Sequence, residues 1–362
     1  MATAKPTPAT TETAAILHPL TPLLAQAVWD GDLTAVRSLL QQGADVNAID
    51  DRDGSPFQDQ APLHLVCSNE GFRDEAGDGM LAILQVLLAG GANVNLLNNR
   101  SSRRETPLMI AVRHLNVGAV RLLLDAGANV AVKAERGPNN TRTGVIDVVA
   151  LHLSAGHQFE PSKDQAATTI TRLLLEHGAD PNATTSDGRT PLLNATTSPE
   201  RLRMLLDAGA NPNASQSDPH LGSLTPLIQA SINNNHENAD CVRILLDAGA
   251  DVSVACNEGT ALHHVPRSDS WPNAEIAAIR LLLEAGADAN ALDQEGRTPY
   301  QVAVERERSE EVKAVLLDAQ QAAVRKTLTD AVESVQAEGK TEGGEQGVVR
   351  RRRKSLSDPT SY

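Results

Sequence analysis

Aromatic side chains are scarce: the 362 residues hold three Phe, two Trp and two Tyr. Large cores usually draw on such rings for buried area, so a hydrophobic share of 41% must rest on Leu, Ala, Val and Ile. The same shortage removes the stacking platforms that single-stranded nucleic acids need. Cysteine is scarce as well. Cys67, Cys241 and Cys256 are too few and too scattered for a disulfide framework or a cysteine-based zinc site, which fits a reducing compartment. No stretch approaches the roughly eighteen consecutive apolar residues of a membrane span. The first fifteen residues carry one Lys, Glu12 and no apolar core, unlike a secretory or transit peptide. A soluble protein of the cytoplasm, the nucleus or both is expected. Positive charge is in deficit, with 32 basic against 46 acidic residues and a net charge of −14. That balance argues against direct binding to DNA or RNA, which requires neutralised phosphates.

What the chain has in abundance is a repeat. Gly-Ala-Asp/Asn recurs at Gly43, Gly91, Gly127, Gly178, Gly209, Gly249 and Gly286, each time behind a Leu-Leu pair such as Leu123-Leu124 or Leu245-Leu246. Downstream comes Thr-Pro-Leu or a variant: APLH at 61–64, TPLM at 106–109, TPLL at 190–193, TPLI at 225–228, TALH at 260–263 and TPYQ at 298–301. Thr suits a helix N-cap, and Pro suits the first helical position, where a missing N–H costs nothing. A second helix ends in Leu-Leu, and the following Gly suits a left-handed C-cap. The Asp/Asn-x-Asn run then turns the chain back. Since one such unit cannot bury its own apolar face, the copies must stack.

These motifs resemble the ankyrin repeat family, with its T-P-L-H-x-A signature and 33-residue period. The resemblance implies an all-α fold, an α-solenoid of stacked helix-turn-helix repeats with hairpin fingers. It covers residues 21–318 in eight units, between an N-terminal tail (1–20) and a C-terminal segment (319–362) read as a helix extension followed by a basic tail. The first and eighth units depart from the pattern and read as caps. The fourth matches only through Thr143-Gly144-Val145-Ile146-Asp147, which leaves its first helix open. The glycine run from Gly339 to Gly347 is expected to end any terminal helix. The resemblance also implies that His64 and His263, fourth in their motifs, hydrogen-bond between fingers rather than bind a metal.

Insertions interrupt the period near 51–60, 68–80 and 153–167 and again within the seventh unit, and between them they hold most of the rare rings: Phe57, Phe72, Phe159 and, in the seventh unit, Trp271. Each ring either anchors a partner or pins its loop to a neighbouring repeat. The second and third fingers carry Arg100, Arg103, Arg104, Arg136 and Arg142. On a body with 39 acidic and 23 basic residues between positions 20 and 318, they form a docking site for an acidic or phosphate-bearing protein, or else an ordinary solvated loop edge. Arg121, Arg172, Arg203, Arg243 and Arg280 each precede an acid by four residues, as in Arg172 and Glu176, and read as a surface ladder. Near the C-terminus, Arg350, Arg351, Arg352, Arg353 and Lys354 resemble a nuclear-import signal, and Ser355 beside them a phosphorylation site.

The chain contains no G-x-G-x-x-G after a strand, no P-loop, no H-E-x-x-H and no G-x-S-x-G. The expectation is a monomeric, non-catalytic scaffold or adaptor that binds a protein partner through fingers and loops, without cofactor or metal. The alternatives are a regulator or inhibitor of a partner enzyme, or a nuclear shuttling factor switched through the basic tail.

Overall fold

A computed structural model of the chain describes residues 20–68, 78–99, 103–136, 148–156, 161–233, 238–267 and 272–353. The chain divides into two compact units, Met1–Ser217 and Asp218–Tyr362. Five helix pairs make up the first: Thr21–Trp29 with Leu33–Gln41, Pro62–Ser68 with Asp78–Ala89, Pro107–Arg113 with Val117–Asp125, Ala150–Ala155 with Pro161–Glu176, and Pro191–Asn194 with Pro199–Asp207. The second holds Pro226–Ile232 with Asn238–Asp247, Ala261–His264 with Pro272–Glu284, and Pro299–Glu305 with Glu310–Arg353. Within each unit, first helices pack on first helices and second helices on second helices of successive repeats.

The local chemistry follows the motif. Thr106, Thr190, Thr225 and Thr298 each accept a backbone N–H through Oγ1, from Met109, Leu193, Ile228 and Gln301 at 3.3–3.4 Å. A lost cap of this kind costs about 1 kcal/mol. At the other end, the seven Gly-Ala glycines sit at φ between 81° and 92°, a region that favours glycine. There the backbone closes the helix: Gly127 N–H donates to Leu124 and Ala128 N–H to Leu123. The first Leu of the Leu-Leu pair is fully buried in six repeats, at Leu87, Leu123, Leu174, Leu205, Leu245 and Leu282. Each contributes about 1.5–3 kcal/mol. In the first described repeat Leu39 and Leu40 are only half-buried.

Polar ties then fix one repeat on the next. Asn47, Asn95 and Asn182 accept the N–H of Asn93, Asn129 and Asn211 in the following repeat at 2.7–2.8 Å. Asn182 also donates to the Gly209 carbonyl at 2.9 Å. His64, buried, accepts the Ala61 N–H at Nδ1 and donates through Nε2 to the Leu96 carbonyl at 2.8 Å. His263 accepts the Thr260 N–H and reaches the Ala291 and Arg297 carbonyls at 3.1 Å.

His152 repeats this geometry, and it corrects the reading of the fourth repeat. Its Nδ1 takes the Val149 N–H at 3.4 Å and its Nε2 donates to the Arg189 carbonyl at 3.0 Å. Val149-Ala150-Leu151-His152 therefore occupies the place of APLH and TALH, and a first helix is described at Ala150–Ala155, while Thr143 to Asp147 lie outside the described residues. Gly127 and Val149 lie 22 residues apart, against 12 from Gly178 to Thr190, so much of the extra chain belongs to the preceding finger. Val149 lacks the capping hydroxyl, which is why the motif was hard to see.

Two other expectations change. The terminal helix runs unbroken from Glu310 to Arg353, through Gly339, Gly343, Gly344 and Gly347. An interior glycine costs a helix about 1 kcal/mol rather than forbidding it, and Ala, Gln, Glu, Lys and Arg dominate around these four. Arg172 meets Glu200 of the next repeat at 3.4 Å instead of Glu176. The helices Pro161–Glu176 and Pro199–Asp207 lie side by side, and both partners are about half exposed, so this pair is weak.

His152 gives a pH prediction. Burial lowers its pKa from the ordinary 6.5 and outweighs the Arg189 carbonyl, which works to raise it. The neutral ring is the form that can accept at Nδ1. Its stabilisation is complete above about pH 6.5 and is lost as pH falls through the lowered folded value. The thermal midpoint should therefore drop on mild acidification, and His152→Gln should flatten part of that drop in a melt series.

Candidate functional site

The second and third fingers meet as a two-stranded antiparallel pair, Arg103–Arg104 with Glu135–Arg136, whose register sets Arg103 opposite Arg136 and Arg104 opposite Glu135. Behind the first strand, Asn98 is fully buried and clasps the finger. Its N–H donates to the Glu105 carbonyl and its Oδ1 accepts the Glu105 N–H, both at 3.0 Å. Arg104 donates through Nε to the Asn98 carbonyl at 3.2 Å, so part of its guanidinium holds the finger in place. The Glu105 carboxylate, 4% exposed, pairs with Arg113 on the following helix. Like charges directly opposite across a strand pair repel. The register places two like-charged residue types, Arg103 and Arg136, at one paired position.

The first finger is tied to this edge, since Asn99 N–H donates to the Asp59 carbonyl at 2.9 Å. It adds little positive charge. Arg52 forms a bidentate pair with the buried Asp50, at 2.8 Å and 2.7 Å. That hydrogen-bonded guanidinium holds the Asp50 carboxyl down at about 2, against burial, with help from Ser55. The positive charge of Arg52 is thus taken up within the first finger by Asp50.

Phe57 is 4% exposed, and its ring lies 5.8 Å from that of Trp29 in a tilted contact. It pins its loop to the first repeat and offers no face to a partner. Arg350–Arg353 form the last turn of the terminal helix. Phe72, Arg100, Arg142, Phe159, Trp271, Lys354 and Ser355 lie outside the described residues.

Among the described residues, no group of three or more His, Cys, Asp or Glu is placed to hold a metal ion, and no helix is long and apolar enough to cross a membrane. Cys67 and Cys241 are fully buried in helices, and burial pushes the Cys67 thiol up. The exposed apolar residues of the second unit include Leu292, 64% exposed on a finger, and Val304, 45% exposed on the helix that follows.

The model of the ankyrin repeats family matches residues 24–134 and 227–330. The chain belongs to the ankyrin repeat family. Ankyrin repeat protein sequences similar to it include bovine (Bos taurus) ankyrin repeat and SOCS box protein 3, 32% identical over 127 residues, which are 35% of this chain and 20% of that protein. The probable E3 ubiquitin-protein ligase XBOS33 of Oryza sativa subsp. japonica is 28% identical over 236 residues, 64% of this chain and 38% of that one. The chain thus spans well under half the length of these relatives. Among solved structures, the ankyrin repeat domain of Bcl-3 aligns with a TM-score of 0.47 at 26% identity, covering 81% of this chain and 96% of that one. Ankyrin repeats generally mediate protein–protein interaction and are typically non-enzymatic modules.

The burial of Phe57 separates loop-pinning from partner-anchoring. Phe57→Ala should destabilise the first repeats by about 3 kcal/mol, read as a lower denaturation midpoint together with altered Trp29 fluorescence. An unchanged midpoint would show that the ring carries no packing role.

Proposed function

We propose that this ankyrin repeat chain is a non-catalytic scaffold whose paired second and third fingers dock an acidic or phosphorylated segment of a protein partner. The observation that carries the reading is the register of Arg103 against Arg136, in a chain whose net charge is −14. A local cationic edge on an acidic body repels acidic partners everywhere else, which favours one docking orientation. Arg104 supports the edge from behind through Asn98. The relatives, a SOCS box protein and a probable E3 ubiquitin-protein ligase, are compatible with an adaptor role. They cover larger proteins than the matched stretch.

The test is the double variant Arg103→Glu, Arg136→Glu, which leaves the buried Asn98 clasp intact. Proximity labelling with the intact chain and with this variant should yield partner sets that differ by the acidic or phosphorylated members. Fluorescence anisotropy with a polyglutamate peptide and a phosphoserine peptide should show affinity reduced about tenfold or more, equivalent to about 1.4 kcal/mol per decade. Unchanged affinity for both peptides and an unchanged partner set would overturn the docking site.

A further inference from the structure

The three cysteines differ in their surroundings. Cys67 and Cys241 lie within helices at 0% exposure, and burial pushes the Cys67 thiol up, which keeps it protonated and inert. Cys256 keeps 9% exposure and lies outside the helices, in the first strand of a finger hairpin, Ala255–Cys256 with Gly259–Thr260. The register pairs Cys256 with Gly259. Thr260 then caps the short helix Ala261–His264, so the chain folds back within a few residues and sets the end of that helix against the strand it has just left. His264, 2% exposed, faces the thiol there: its Nε2 lies 3.1 Å from the Cys256 Sγ.

A thiol and an imidazole at this distance are a nucleophile and a base within hydrogen-bond reach. The neighbouring His263 cannot act on the thiol, because both of its ring nitrogens are engaged. Its Nδ1 meets the Thr260 N–H, and its Nε2 meets the Ala291 and Arg297 carbonyls. The two adjacent histidines thus have different work: His263 ties its repeat to the next finger, and His264 faces the finger thiol. At neutral pH an ordinary thiol is only a few per cent thiolate. An imidazole that takes up the thiol proton raises that fraction by roughly tenfold or more, and the thiolate is the form that attacks.

We propose that Cys256 and His264 form a modification site for small hydroperoxides, with His264 as the base. The Cys256 proton passes to His264 Nε2. The thiolate sulfur then attacks the hydroxyl oxygen of the peroxide, forming an S–O bond as the O–O bond breaks. The leaving oxygen takes the proton back from His264 and departs as water or, from an organic hydroperoxide, as an alcohol. Sulfur is oxidised to the sulfenic acid, and the peroxide is reduced.

The test treats the full native chain with hydrogen peroxide at neutral pH in the presence of dimedone, which traps sulfenic acid, and reads each cysteine peptide by mass spectrometry. Cys256 should be labelled roughly tenfold faster than free N-acetylcysteine under the same conditions, despite its burial, with Cys67 and Cys241 far slower. A Cys256 rate no higher than that of N-acetylcysteine overturns the proposal without any variant. His264→Gln separates a base from a packing partner, because the two roles move the rate in opposite directions. Loss of the base should slow the labelling of Cys256 about tenfold, whereas loss of a mere packing partner loosens the finger and speeds it. A faster or unchanged rate in His264→Gln, in a chain whose melt shows it folded, overturns the role of His264.

Discussion

A pair of short helices has no interior of its own. Each repeat here can bury its Leu and Ala face only against the next, so the structure depends on repeat-to-repeat contact within each unit. Thin layers of small and medium side chains fill the space between successive helix pairs, which is why so few aromatic rings are needed. Leu123, Leu174 and their counterparts lose all exposure, whereas Leu39 and Leu40 in the leading repeat stay half-buried. A solenoid end differs from its middle through the absence of a neighbour.

Apolar faces alone would let such layers slide, and the polar ties supply register. Asn47, Asn95 and Asn182 hold the turn of the following repeat, and His64, His152 and His263 fasten helix starts to downstream finger backbone. Because these bonds end on finger backbone, they also place the fingers. The antiparallel match of Arg103 with Arg136 follows from stacking that was settled elsewhere. On the proposed reading, an edge placed by the stacking lowers the ordering cost of binding.

Much of the framework was legible in the sequence because the repeat states its own capping chemistry. Thr-Pro marks helix starts, Leu-Leu marks the buried face, and Gly marks the left-handed exit. The reading failed where a residue performs the role without the familiar side chain. Val149 starts a helix with no hydroxyl, and only the hydrogen bonds of His152 reveal the motif. At Gly339–Gly347 the local preference against helix is overridden, and the helix continues to Arg353.

By itself the sequence determined the repeat architecture, the positions of most helix ends and the acidic balance, since these depend on neighbours within about one turn or on simple counting. Only the tertiary structure decided which arginines face one another, that Phe57 is spent on Trp29, that Arg201 is buried against Asp164, and that Arg172 reaches across to Glu200. Those pairings join residues far apart in the chain. No local rule of spacing encodes them, because they arise from the stacking of whole repeats.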